Sequence, residues 1–187
     1  MVYLIGGSSH CGKTLLAQHL MERYHIPYTS IDHLKMGFIR GGYTNLTPMN
    51  DDVLREFMWP FLVGMIRTAL ENEQTLLLEG CYIPEGWRDS FTEAENQRIR
   101  AVFLTMSEDY LRNHFDLVCS KANAIEHRLD DHPNLERLIR CSDWFRTCCR
   151  RDGTPCIDVT DRFDLYELTG QTAALLGLEE HKRTIDR

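Results

Sequence analysis

Val2-Tyr3-Leu4-Ile5-Gly6-Gly7-Ser8-Ser9-His10-Cys11-Gly12-Lys13-Thr14 stands at the start of the chain, and its order decides the fold: an apolar run, glycines and small polar residues, then a Lys-Thr pair. Val2–Ile5 is apolar throughout, as a strand buried on both faces is. From Lys13 to Tyr24, Leu15, Leu16, Leu20 and Met21 recur at helical spacing. Gly7 to Thr14 fits G-x-x-x-x-G-K-[ST] at every fixed position, and a strand before with a helix after is the context in which that spacing holds phosphate. Gly7 and Gly12 let the backbone wrap closely, so Gly7, Ser8, Ser9, His10, Cys11 and Gly12 form an anion nest capped by the positive end of the Lys13 helix. Lys13 is then placed for the β- and γ-phosphates of a nucleotide and the Thr14 hydroxyl for Mg²⁺. His10 and Cys11 occupy free positions of the loop, where backbone N–H groups matter more than side chains.

Outward from this stretch, short apolar strands alternate with helical patterns. Tyr28–Ile31 reads as a second strand ending at Asp32, followed by a polar, glycine-containing loop from Lys35 to Asn50. Val53, Phe57, Phe61, Met65 and Leu70 give helical spacing over Asp51 to Asn72, with Pro60 expected to kink or split the helix. Thr75–Glu79 and Ile99–Leu104 are further buried strands, and Ser107 caps a helix running into the 110s. A polar stretch at 120–134 is a candidate lid, Leu135 to Gly153 a helix, Pro155–Val159 the last strand and Leu165–Leu176 the last helix. Parallel strand pairs need crossovers long enough to hold a helix, so the pattern implies an α/β three-layer sandwich with a five-stranded, mainly parallel sheet. Ligands belong at the strand C-terminal ends, which carry Gly6, Asp32, Glu79 and Thr105 by these boundaries.

The 187 residues, 43% of them hydrophobic, suit one domain spanning 1–187. A formal net charge of −7 repels polyanions, so nucleic acid is excluded as a main partner. The N-terminal apolar run is too short for a signal-peptide core, and no stretch approaches the roughly 20 apolar residues of a membrane span, so a soluble cytoplasmic protein is expected. Seven cysteines without paired CxxC spacing fit reduced thiols. Nothing in the sequence separates monomer from homodimer.

A phosphate loop by itself says nucleotide; the reaction must come from elsewhere. Asp32, at the end of the second strand, is placed to orient an acceptor hydroxyl or take its proton. Glu79, at the end of a buried strand, is a candidate for holding a Mg²⁺-bound water or the acceptor, since such strands seldom carry a carboxylate without a reason. Arg128 in the lid stretch, with Arg137 and Arg140 three residues apart on the next helix, are candidate cations for charge on the transferring phosphoryl group. Lys35 and Arg40 are candidates for gripping an anionic acceptor. Arg146, Arg150 and Arg151, near the end of that helix, read as complements to its dipole. Trp59, Trp87 and Trp144 read as core or pocket wall.

The strand–Gly7-to-Thr14–helix start, the Asp32 strand end, the Glu79-Gly80 pair and the arginine-bearing later helix together resemble the nucleoside-monophosphate, shikimate and gluconate kinase group, and more loosely the zeta-toxin and 2-phosphoglycerate kinase branches. The resemblance implies the P-loop nucleoside triphosphate hydrolase fold with sheet order 2-3-1-4-5, ATP as donor, Mg²⁺ bound by Thr14 with Glu79 or Asp32 through water, a helical acceptor-binding insert at about 35–72, and a lid. Taken with the residue reading above, it puts Lys13, Asp32, Arg128, Arg137 and Arg140 in catalysis, and Asp32, Lys35, Arg40, Glu79 and Gly80 at the acceptor. Glu79-Gly80 is similar to the Asp-Gly pair of adenylate kinases. There the run continues Phe-Pro-Arg, whereas here it is Cys81-Tyr82-Ile83-Pro84, with Arg88 later. The expected activity is transfer of the γ-phosphate of ATP to a small acceptor, through a hydroxyl or a phosphate. The competing reading is a nucleotide-dependent regulatory module. Against it, no N-K-x-D base-recognition run is present, and the apolar strand ends Glu79-Gly80 rather than in the Asp-Glu pair of mechanical ATPases. A toxin-like kinase acting on a nucleotide sugar would share the chemistry and differ in the acceptor.

Overall fold

Alternating apolar residues in the first strand fix where everything else packs. In the computed structural model, which describes residues 1–48, 50–121 and 133–179, β1 is Val2–Gly7. It is followed by α1 (Lys13–Tyr24), β2 (Tyr28–Ser30), α2 (Ile31–Arg40), α3 (Asp51–Glu71) and β3 (Leu76–Glu79). A 3₁₀ turn at Trp87–Ser90 leads to α4 (Glu93–Asn96), β4 (Ile99–Met106), α5 (Glu108–Ser120), α6 (Leu135–Asp152), β5 (Cys156–Val159) and α7 (Leu165–Leu176). The five strands form one sheet in the order β2-β3-β1-β4-β5, every pairing parallel. Tyr3 and Ile5 point into a core with α1, α5 and α7, while Val2 and Leu4 point into one with α3 and Phe145 of α6. Since β1 is central and pairs on both sides, its C-terminal end opens where the crossovers diverge, and the phosphate loop lies there.

Several features differ from the sequence reading. Residues 35–40 are not loop: α2 starts at Ile31, directly after β2, because Ile31 is buried and Asp32 lies in the first turn, where a carboxylate favours the helix dipole. Strand β4 runs two residues past Leu104, so Thr105 lies within it, donating to Asp158 Oδ1 at 2.8 Å, and does not end it. Pro60 does not split α3, which continues through it for 21 residues. The core stripe of α3 is Leu54, Met58, Leu62 and Ile66, each 0% exposed, one residue out of phase with Val53-Phe57-Phe61-Met65. Two adjacent apolar stripes at the same spacing leave sequence periodicity unable to say which faces the sheet. Arg146 is also more than a complement to the dipole: it forms ion pairs with Asp143 and Asp158 and donates to Met106 O at 3.2 Å, tying α6 to the ends of β4 and β5.

Candidate functional site

The loop after β1 has the geometry of a phosphate cradle. Gly7 and Gly12 take φ of 128° and 89°, and a Cβ on Gly7 would sit 1.9 Å from Leu104 O, so that position admits only glycine. A Cβ on Gly12 would meet the Phe163 ring at 2.6 Å. His10 also has positive φ, 61°, and the Ser9 hydroxyl lies 2.9 Å from its Nδ1. Cys11 is fully buried, its thiol donating to Ser8 O and Leu104 O at 2.9 and 3.1 Å, which pins the loop to β4. From α6, the Ser142 hydroxyl donates to Ser8 Oγ at 2.9 Å, both residues being buried.

Lys13 opens α1 with Nζ folded back to Ser8 O at 2.6 Å. Burial works against its charge, and nearby Cys11, Cys81, Glu79 and Asp32 more than offset this, holding its pKa above the ordinary lysine value. Burial in turn raises the Cys11 thiol. Thr14 Oγ1 donates to Glu79 Oε1 at 3.2 Å, across 65 residues of sequence. Glu79 is 1% exposed and ends β3 through the register that pairs it with Ile5 of β1. A buried carboxylate beside a hydroxyl is a hard-oxygen pair of the kind that suits Mg²⁺. Gly80 follows because any side chain there would meet Ile31 Cβ at 2.8 Å.

On the α2 side of the loop, Lys35 forms an ion pair with Asp32 one helical turn away and donates to Tyr82 Oη at 3.1 Å. Tyr82 and Lys35 are buried and Asp32 is half-buried. Asp32, Lys35, Glu79, Gly80 and Tyr82 therefore meet from α2, β3 and the segment after β3, next to the loop holding Lys13. Arg40 does not join them: it is exposed in the last turn of α2, about 12 Å along the axis from Asp32. Arg137 and Arg140 are exposed on α6, flanking buried Leu138 and Ile139. Arg128 and most of the lid stretch lie outside the described residues.

Sequence reasoning missed three residues. Tyr82 carries a weak signal, an aromatic just beyond an acid-glycine strand end. Ser142 carries a clearer one, a lone hydroxyl between Leu138 and Phe145 on the apolar face of α6. Arg55 carries none: its guanidinium lies 4.6 Å over the Trp144 ring and bonds Asp52, while its Nε is buried and has no hydrogen-bond partner among the described residues.

No family model matches the chain, and neither does any curated protein. Solved structures do match over nearly the whole chain. A gluconokinase from Sinorhizobium meliloti superposes with a TM-score of 0.56 at 16% identity, covering 94% of this chain and 91% of its own. A sugar kinase from Janibacter gives 0.57 at 13%, covering 95% and 94%. The chain has the fold of the P-loop small-molecule kinases. A shikimate kinase from Aquifex aeolicus adds a third such match, TM-score 0.53 at 13% identity, covering 95% and 96%. In this P-loop kinase fold the sheet order is the one that the resemblance implied.

Proposed function

We propose that the protein is an ATP-dependent phosphotransferase that moves the γ-phosphate to a hydroxyl or phosphate of a small acceptor, in the manner of an adenylate kinase. The observation that carries this reading is the meeting of Thr14 and Glu79 beside Lys13, with Asp32 facing the same space from α2. A loop that only binds nucleotide has no need of the ion-paired Asp32 on the far side of the buried Glu79 carboxylate.

In this reading the loop N–H groups and Lys13 take the β- and γ-phosphates, Lys13 swinging from Ser8 O to a phosphate oxygen. Thr14, with Glu79 or Asp32 through water, would hold Mg²⁺, which when bound would neutralise charge on the phosphates. Asp32 orients the acceptor's nucleophilic oxygen and takes up its proton when that oxygen is a hydroxyl. Because phosphoryl transfer has a loose transition state, orientation matters more than base strength, and an aspartate fixed by Lys35 suits the task. Lys35, Glu79, Gly80 and Tyr82 shape the acceptor end. Arg128, Arg137 and Arg140 supply lid charge. One domain with an acceptor-binding insert at about 35–72 and a lid at about 120–134 is the organisation this requires, and a cytoplasmic location supplies ATP.

ADP release from Mg-ATP, followed with a panel of nucleosides, nucleoside monophosphates, sugars, sugar acids and hydroxy acids, tests the reading. Acceptor-stimulated release that disappears with Lys13→Ala is expected. ATP binding without stimulation by any class would instead leave a nucleotide-binding module.

A further inference from the structure

Helix α3 has a second apolar face that this chain covers only in part, through Phe38 of α2 on Phe57 and Phe61. Leu54, Met58, Leu62 and Ile66 fill the core, but Val53, Phe57, Pro60, Phe61, Gly64 and Thr68 form an outward stripe with no charge along its centre. Val53 is 50% and Phe61 46% exposed, and a side chain on Gly64 would meet nothing within 4 Å. The stripe from Val53 to Thr68 is about 22 Å long. Its C-terminal end borders an open groove of ≈ 460 Å³ between α3 and the start of β3, lined by Gly64, Met65, Thr68, Ala69, Gln74 and Leu76 among others. Large apolar side chains thus occupy one half of the stripe and a trough the other.

We propose that this face is a homodimer interface, in which α3 packs antiparallel on α3 of a second copy across a two-fold axis centred near Phe61. Three observations select a second copy as the occupant. Antiparallel pairing lays Val53 and Phe57 of one molecule over the groove of the other, and by symmetry the reverse, which is the self-complementarity that an isologous contact needs. The charges flanking the stripe agree with it. Glu56 and Arg67 lie on the same edge of α3, about 16 Å apart and nearly equidistant from Phe61, so the same rotation brings each Glu56 to the partner copy's Arg67. Arg67 is half-exposed and already bonded to Glu95 and Ser90 O, so its guanidinium is held in place at that edge. Finally, two copies of a chain with net charge −7 approach best through an uncharged face. The contact also reaches α2, since Phe38 stacks on Phe57 and Phe61 at 5.5 and 4.5 Å between ring centroids.

The full chain, run by sedimentation velocity and light scattering from about 1 µM to about 200 µM, should shift from monomer to dimer mass, as a small apolar interface does. Phe61→Asp should weaken dimerisation at least about tenfold, with a wild-type circular dichroism spectrum showing that the monomer stays folded despite the loss of the Phe38 contact. Glu56→Arg and Arg67→Glu should each weaken the dimer, and the double exchange should recover it. A wild-type mass that stays monomeric throughout overturns the proposal and leaves the face to a different protein. A dimer that Phe61→Asp does not weaken, or charge exchanges that simply add their losses, overturn it equally, by placing the contact or its register elsewhere.

Discussion

The phosphate loop and the proposed acceptor end of the site are built by different means. Residues 7–14 make the phosphate end in one continuous piece: backbone N–H groups, two left-handed glycines and the first turn of α1. The proposed acceptor end is assembled from side chains, with Asp32 and Lys35 on α2, Glu79 and Gly80 closing β3, and Tyr82 just beyond. A cradle of backbone tolerates change in the side chains around it, whereas an assembly of side chains is only as good as the packing that places each of them. The two ends touch through Thr14 and Glu79, so damage at that contact should be felt at both.

The comparison can be broken most severely at Lys13. Lys13→Ala should lower acceptor-stimulated ADP release about 10³-fold or more, since it removes the cation at the charge that develops on transfer; a fluorescent ATP analogue should still bind, weakly, through the loop backbone. Asp32→Asn should lower kcat about 10²-fold with the KM for ATP nearly unchanged, because it acts at the acceptor end alone. If the KM for ATP rises instead and kcat holds, the two ends are not divided as described. Glu79→Gln should raise the Mg²⁺ concentration needed for half-maximal rate about tenfold, measured by metal titration at saturating ATP.

Smaller effects separate packing from chemistry. Gly80→Ala must push Ile31 aside and should cost about 1–3 kcal/mol in denaturant unfolding. Ser142→Ala removes the hydroxyl that α6 donates to Ser8 and should cost about 1 kcal/mol, seen as a drop of a few degrees in Tm. An unchanged ATP affinity in Ser142→Ala would confirm that the loop's shape is set by its own backbone.

Legibility in the sequence follows the same division. The strand–loop–helix start and the alternation that gives a parallel sheet could be read directly, because each depends on neighbours within a few residues. Asp32 and Glu79 were found as strand-end acids, although Asp32 proved to sit in the first turn of α2. Arg40 lies apart from Asp32 because residues 31–40 form a helix, with Ile31, Leu34, Phe38 and Ile39 packed into the core, where the sequence reading has a loop from Lys35 on. Tyr82 and Ser142 were missed since each acts through a partner more than 40 residues away, Lys35 for one and Ser8 for the other.

The sequence by itself determined the cradle and the layers, because glycine conformations, a helix N-terminus and the two apolar periods are local properties. Only the tertiary structure decided which acid meets which hydroxyl and which stripe of α3 is core. Those outcomes rest on a parallel register that sets Ile5 beside Glu79, and on a rotation of α3 by one residue that no period of 3.6 can announce.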